Sequence, residues 1–228
     1  MRINRIYELI SPHFRRRRRR EFERLMRPDL SRSILDVGGT EMFWVESGFR
    51  GQVTLLNTEA SRFGASGVVQ RQVVGDGCSL PFPDGSFDIV FSNSVIEHVG
   101  TWERQLRFAA ECRRVGRAFW IQTPAMEFFI EPHLIAPFIH WLPRAWQRRL
   151  IRNLTVRGWL DRPGPAAVEE FLNEVRLLTY GEMRELFPGC PILKERFLGM
   201  CKSYVAILAP DAPAATGPAD TALEPGSP

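Results

Sequence analysis

The sequence has only four cysteines in 228 residues, Cys78, Cys112, Cys190 and Cys201, and no two of them form a C-x-x-C pair. That spacing suggests neither a cysteine zinc site nor a disulfide framework, and reduced thiols are the expectation. No stretch approaches the run of about 18 apolar residues that a spanning helix needs. The first residues lack the apolar core of a signal peptide, so a cytoplasmic protein is expected. Acidic residues are sparse at the start: residues 1–27 hold ten Arg against Glu8, Glu21 and Glu23. The end is the reverse, with Asp211, Asp220 and Glu224 and no cation after residue 210. The formal charge of +4 therefore describes the N-terminal stretch and leaves the middle of the chain neutral.

What is present fits one soluble globular domain. Hydrophobic residues make up 44% and charged residues 25%, and the length suffices for a full core. Residues 1–32 read as a basic helical arm, with Ser11 as N-cap and Pro12 at the first helical position. The helix runs to about Met26, and Pro28-Asp29 breaks it. Its run Arg15, Arg16, Arg17, Arg18, Arg19 and Arg20 wraps around the helix. It is a solvated face, a contact with an anionic membrane worth ~1 kcal/mol per nearby Arg, or a contact with phosphate backbones.

From Ser33 to Leu208 strands alternate with helices, which predicts an α/β domain with a parallel sheet. Strands are predicted at Ser33–Val37, Val53–Leu56, Gln70–Val74, Asp88–Ser92 and Arg117–Gln122, and helices at Thr40–Ser47 and Trp102–Arg114. Residues 123–175 interrupt this rhythm with several Pro and with Trp141, Trp146 and Trp159. They read as an inserted cap. The segment Leu134–Leu142 with the following Trp146 is a lid, a membrane-facing patch flanked by Arg144, Arg148 and Arg149, or ordinary packing. Thr179 and Glu182 form a capping-box pattern for a helix to Phe187. Ile192–Leu198 and Ser203–Leu208 make a final antiparallel pair. Residues 209–228, rich in Pro, Ala and Gly, read as a disordered tail.

Two blocks carry chemistry. Ile34-Leu35-Asp36-Val37 runs into Gly38-Gly39, and Gly75-Asp76-Gly77-Cys78 opens a series that continues through Pro81 and Asp84-Gly85 to Val95-Ile96-Glu97-His98-Val99. Together they resemble the core of a class I S-adenosylmethionine-dependent methyltransferase of the small-molecule type 11 family. The resemblance implies a Rossmann-like, mostly parallel seven-stranded sheet flanked by helices, with the helical cap inserted after strand 5. It implies S-adenosylmethionine as cofactor. The family's D-x-G-x-G-x-G motif stands here as Asp36-Val37-Gly38-Gly39-Thr40-Glu41-Met42, with Thr40 and Met42 in place of two glycines.

The resemblance assigns Asp36, Gly38 and Gly39 to the cofactor loop. It puts Asn57 or Glu59 at the ribose hydroxyls, and Asp76 with Gly77 and Cys78 at the adenine. Ser92 and Asn93 fall beside the methyl group. A dinucleotide dehydrogenase would want G-x-G-x-x-G after the first strand, which Gly38-Gly39-Thr40-Glu41-Met42-Phe43 does not supply. The Asn- or Asp-Pro-Pro-Tyr motif of base amino-group methylation is also missing.

Methyl transfer from a sulfonium is an in-line displacement, so positioning supplies much of the rate. For a hydroxyl or acidic carbon a general base helps, and histidine titrates in the right range. His98 and His133 are the candidates, with Glu131 beside His133. Each is equally a satisfied structural residue. The Glu131-Pro132-His133 segment is similar to an insertion in bacterial type 11 members associated with cell-envelope polysaccharide synthesis. The expected enzyme therefore methylates a small molecule, a lipid or a glycan precursor, without metal. The alternatives are a degenerate scaffold that binds cofactor or a partner without turnover, and an RNA-modifying methyltransferase recruited by the Arg arm.

Overall fold

The computed structural model describes residues 3–210 apart from positions 63 and 65, and side chains from Phe14 onward. Most of the expected tail, from residue 211, lies outside these residues. Helix α1 (Ile3–Met26) leads into strand β1 (Ser33–Val37), helix α2 (Glu41–Ser47), and strands β2 (Gln52–Asn57), β3 (Arg71–Val74) and β4 (Phe87–Asn93). Helix α3 (Trp102–Val115) and strand β5 (Gly116–Pro124) follow. A short hairpin, β6 (Ile130–Glu131) and β7 (Ala136–Pro137), precedes helices α4 (Arg144–Leu154), α5 (Val156–Asp161) and α6 (Pro165–Glu174). Helix α7 (Tyr180–Leu186) and strands β8 (Ile192–Phe197) and β9 (Met200–Leu208) complete the domain.

The seven-stranded sheet has the order β3-β2-β1-β4-β5-β9-β8. β1 to β5 pair in parallel, and β9 runs antiparallel to both of its neighbours. Parallel strands buried on both faces read as continuous apolar runs, as Ile34, Leu35 and Val37 of β1 do at 1% exposure or less. One face packs on α3 and α7 through Phe108, Cys112, Val115, Met183 and Phe187. The other carries Trp44 of α2 and Phe22 and Met26 of α1. Thr179 caps α7 with the expected capping box, its side chain accepting from the Glu182 amide.

Helix α1 departs from the expected free arm in two ways. It begins at Ile3 and runs through Pro12; a helix survives an internal proline at the cost of a backbone hydrogen bond. It is also built into the domain. Phe22 and Met26 are fully buried, and Phe22 makes edge-to-face contacts with Phe91 and Trp120. Of the Arg run, Arg17, Arg18 and Arg19 are half-buried, and Arg15, Arg16 and Arg20 are exposed. The apolar stripe outweighs the charge in placing the helix, because full burial of each large side chain is worth about 1.5–3 kcal/mol.

Thr123 and Pro124 still belong to β5, and the segment expected as a cap continues from there through the β6–β7 hairpin and helices α4, α5 and α6. It has a core of its own, Leu134, Ala136, Ile139, Ile151, Val168 and Leu172. Its tryptophans are not ordinary packing: Trp141, Trp146 and Trp159 all remain exposed, Trp159 by 70%.

Candidate functional site

A cavity of about 460 Å³ opens at the carboxyl ends of β1, β4 and β5, where Gly38, Asn93 and Pro124 form part of its wall. β1 and β4 are adjacent although β2 follows β1 in the chain, so strand order reverses there. Open α/β sheets bind ligands at that point. Thr40, Met42, Phe43 and Glu46 form the α2 side of the wall, and Phe14, Arg15 and Arg18 of α1 complete it from above. The helix read as an arm is thus a roof. Arg18 is fixed there, donating to Asn93 Oδ1 at 2.9 Å and pairing with the buried Glu195 at 3.0 Å. Lys202, also on the wall, lies 3.6 Å from the Phe14 ring centroid. Desolvation pushes its ammonium down to about 8.

Asp36 is fully buried. One carboxylate oxygen accepts from the Trp44 indole at 2.8 Å, and the other, Oδ1, meets no donor. Burial raises its pKa to about 7, against the pull of the Trp44 hydrogen bond. Gly38 and Gly39 are required beside it. Gly38 has φ +78°, and a Cβ there would stand 2.6 Å from Val95. A Cβ on Gly39 would stand 2.0 Å from the Asp36 carboxylate. Ser94, directly after β4, also takes a left-handed conformation at φ 57°. It is held by hydrogen bonds from its amide and hydroxyl to Gln122. Backbone conformations of this kind concentrate at functional sites.

The structure separates the remaining expected cofactor residues from this cavity. Asn57 is buried and spends its amide donor on the Gly39 carbonyl at 3.0 Å, bracing the glycine turn. Glu59 is exposed and accepts from Ser61. Asp76 accepts from the Cys78 amide at 2.9 Å and is bridged through both oxygens by Arg104. Desolvation acts against these contacts, yet they hold its carboxyl below the usual range. Gly77 packs so tightly that a Cβ would meet Phe108 at 2.7 Å. The buried Cys78 thiol donates to the Arg104 carbonyl, and burial pushes its pKa up to about 11. Ser92 is buried and donates to the Val37 carbonyl, tying β4 to β1. None of these six lines the cavity, whereas Asp36, Gly38, Gly39 and Asn93 do.

His98 and His133, 35 positions apart in sequence, are in contact: their rings meet edge to face with centroids 4.6 Å apart. They hang from the cavity's own loops, since Ser94 and Pro132 line it. Glu131 is buried and accepts from His133 Nδ1 at 2.7 Å, and its other oxygen accepts the Leu134 amide. Glu97 is the residue the sequence did not single out by itself. It is fully buried, accepts from Thr123 Oγ1 at 3.0 Å, and leaves Oε1 without a donor. Burial raises Glu97 to about 7. Desolvation works against protonation of His133, but Glu131 and Glu97 outweigh it and raise its pKa. Desolvation and the neighbouring His133 lower that of His98. Its place directly before His98 was the available signal for Glu97.

Residues 41–118, from the start of α2 into β5, match the family model described as a methyltransferase domain. Over that stretch, about a third of its length, the chain is similar to methyltransferases of the type 11 family. Solved structures share its fold. A protein of Pyrococcus horikoshii OT3 superposes with a TM-score of 0.52 at 16% identity, over 87% of this chain and 91% of that one. A Rhodobacter sphaeroides protein named for zinc-dependent alcohol dehydrogenases gives 0.52 at 14% identity, over 85% and 90%. An Anabaena variabilis methyltransferase from an antibiotic biosynthesis pathway is 21% identical over 60% of this chain and 59% of that one, with a TM-score of 0.44. Comparison with curated proteins found no match. Among the described residues no helix is long and apolar enough to cross a membrane.

Proposed function

We propose that the chain binds S-adenosylmethionine in the 460 Å³ cavity and methylates a small molecule, a lipid or a glycan precursor. The carrying observation is Asp36 Oδ1, a buried acceptor without a donor on the wall of a cavity at the strand-order reversal. The cavity's size falls within the usual range of about 300–1,000 Å³ for small-molecule sites. The cofactor carries an ammonium and a sulfonium, which suit a wall with a carboxylate at its end. Gly38 and Gly39 give the close backbone approach, and Asn93 lies at the carboxyl end of β4. Bound there, the cofactor supplies an electrophilic methyl group. Helix α1 and the segment after β5 line this space, and Phe43, Phe91 and Phe128 give it apolar walls. The acceptor side falls to the loops that carry Glu97, His98, Glu131 and His133. Glu131 holds His133 by Nδ1, which leaves Nε2 free for a proton or a ligand.

The exposed Trp141, Trp146, Trp159 and Leu154 favour an acceptor met at a lipid surface. They stand on or beside α4, whose Arg148, Arg149 and Arg152 give it the composition of an interfacial helix. A role in cell-envelope biosynthesis at the inner membrane face is consistent with that surface.

Calorimetry with S-adenosylmethionine and its demethylated product tests the reading. One equivalent bound by the folded protein is expected, with Asp36→Ala weakening it. No binding by the folded wild type would overturn it. Binding without turnover on any acceptor, in a metabolite comparison with the gene deleted, would favour the non-catalytic scaffold. Steeply salt-dependent RNA binding would favour the RNA modifier.

A further inference from the structure

We propose that Glu97, His98 and His133 form a binding site for a divalent transition-metal cation. A carboxylate oxygen of Glu97 and one ring nitrogen of each histidine lie within 4.8 Å of one another. Metal bonds of about 2.0–2.2 Å put neighbouring ligand atoms about 3–3.5 Å apart. Small side-chain rotations therefore close the set around an ion.

Three further observations point to a ligand. Glu97 is fully buried, and its Oε1 has no hydrogen-bond donor, although a buried carboxylate normally has its oxygens satisfied. His133 is already held as a ligating histidine would be: Glu131 takes its Nδ1 at 2.7 Å, which leaves Nε2 as the atom for an ion. A carboxylate behind a ligating histidine is the usual outer support of such sites. The second imidazole already stands beside the first, with the His98 and His133 ring centroids 4.6 Å apart.

Two imidazoles and one carboxylate select a transition metal such as Zn²⁺, Mn²⁺ or Fe²⁺ over Mg²⁺ or Ca²⁺. Three protein ligands leave coordination positions open, as in sites that take an exogenous oxygen. His98 is exposed, so the cluster can be reached from solvent. The four cysteines belong to other parts of the chain, and Cys78 and Cys112 are buried elsewhere.

The test uses the full chain and the metal alone, so its outcome does not depend on the cofactor reading. Chelator-stripped protein is titrated with Zn²⁺, Mn²⁺ and Co²⁺, and the visible spectrum of the Co²⁺ form is recorded. One equivalent per chain is expected, with no sulfur-to-metal charge-transfer band and no competition from millimolar Mg²⁺. His98→Ala and His133→Ala are each expected to weaken binding at least 100-fold, and Glu131→Gln about 10–100-fold, the usual effect of an outer-shell partner. Circular dichroism of the stripped variants checks the fold. Should Glu97→Gln fail to fold, the exposed His98 carries the test. Uptake of no equivalent by the wild type, or wild-type affinity in both histidine variants, overturns the site, as does a thiolate band in the Co²⁺ spectrum.

Discussion

Asp36 is fully buried, with one oxygen on the Trp44 indole and the other without a donor. Asp76, 40 positions later, is part-exposed and holds Arg104 with both oxygens. Both stand in motifs that assign them to the same cofactor, yet only Asp36 lines the cavity. The difference teaches that a motif specifies residue type and spacing, while availability depends on what else the fold brings to the carboxylate. Arg104 comes from α3, 28 residues past Asp76. A ligand replacing it must compete with a charged partner, whereas a ligand reaching Asp36 relieves an unsatisfied acceptor.

The largest expected effect breaks the roof over the Asp36 end. Deleting residues 1–27 removes Phe22 and Met26 from the core, and truncating even one buried Phe to Ala costs about 3–5 kcal/mol. The truncated chain is expected to lose its cooperative thermal transition; a stable fold with cofactor binding intact would show that α1 is dispensable. Next comes Gly39→Ala, whose Cβ would overlap Asp36. Overpacking of about 1–3 kcal/mol and displacement of the carboxylate are expected to weaken cofactor binding by up to ~100-fold in calorimetry.

Asp36→Ala follows, with about tenfold or more lost in affinity, corresponding to the ~1–3 kcal/mol of a buried charged hydrogen bond. The same residue gives a pH signature. Its folded pKa, about 7, lies above the ordinary 3.8, so the native state binds the extra proton between these values. Its contribution to stability therefore falls as pH rises from about 4 to 7 and is level beyond. The melting temperature of Asp36→Asn minus that of wild type should climb across that window; a flat difference would mean that Asp36 ionises normally. The smallest effect is at the other end. Asp76→Ala breaks a part-exposed ion pair of about 0–1 kcal/mol, and less than a tenfold change in affinity is expected. A larger loss than for Asp36→Ala would reverse the comparison.

Much of the architecture was legible because its signals are local. The runs at Ile34, Ile89 and Phe119 mark central strands by apolarity alone, and Thr179 with Glu182 marks a helix start by side-chain chemistry. The strand ends shifted by only a few positions, as with β5, which extends to Pro124 through its pairing with β9. The glycine turn was legible too, since Gly38 sits at a positive φ that few other residues tolerate. What the sequence could not show depends on distant partners. Asn57 donates to the Gly39 carbonyl, and Asp76 meets Arg104. Arg18 looked like part of a charged surface because its partners, Asn93 and Glu195, lie 75 and 177 positions away. His98 and His133 were legible singly, but their contact and the nearby buried Glu97 arise from loops 35 positions apart meeting in the fold.

The pairing of Arg18 with Glu195 also sets an order of events in the life of the chain. Arg18 leaves the ribosome 177 residues before its partner exists, a wait of roughly 10–35 s at about 5–20 residues per second. Throughout it Phe22 and Met26 belong to a helix whose docking surface is incomplete, since Val205 and Ile207 of the same cluster come from the last strand. Helix α1 is thus seated only once β9 has been made. A nascent chain stalled before β9 would leave this basic, apolar-striped helix without part of the surface that buries Phe22 and Met26.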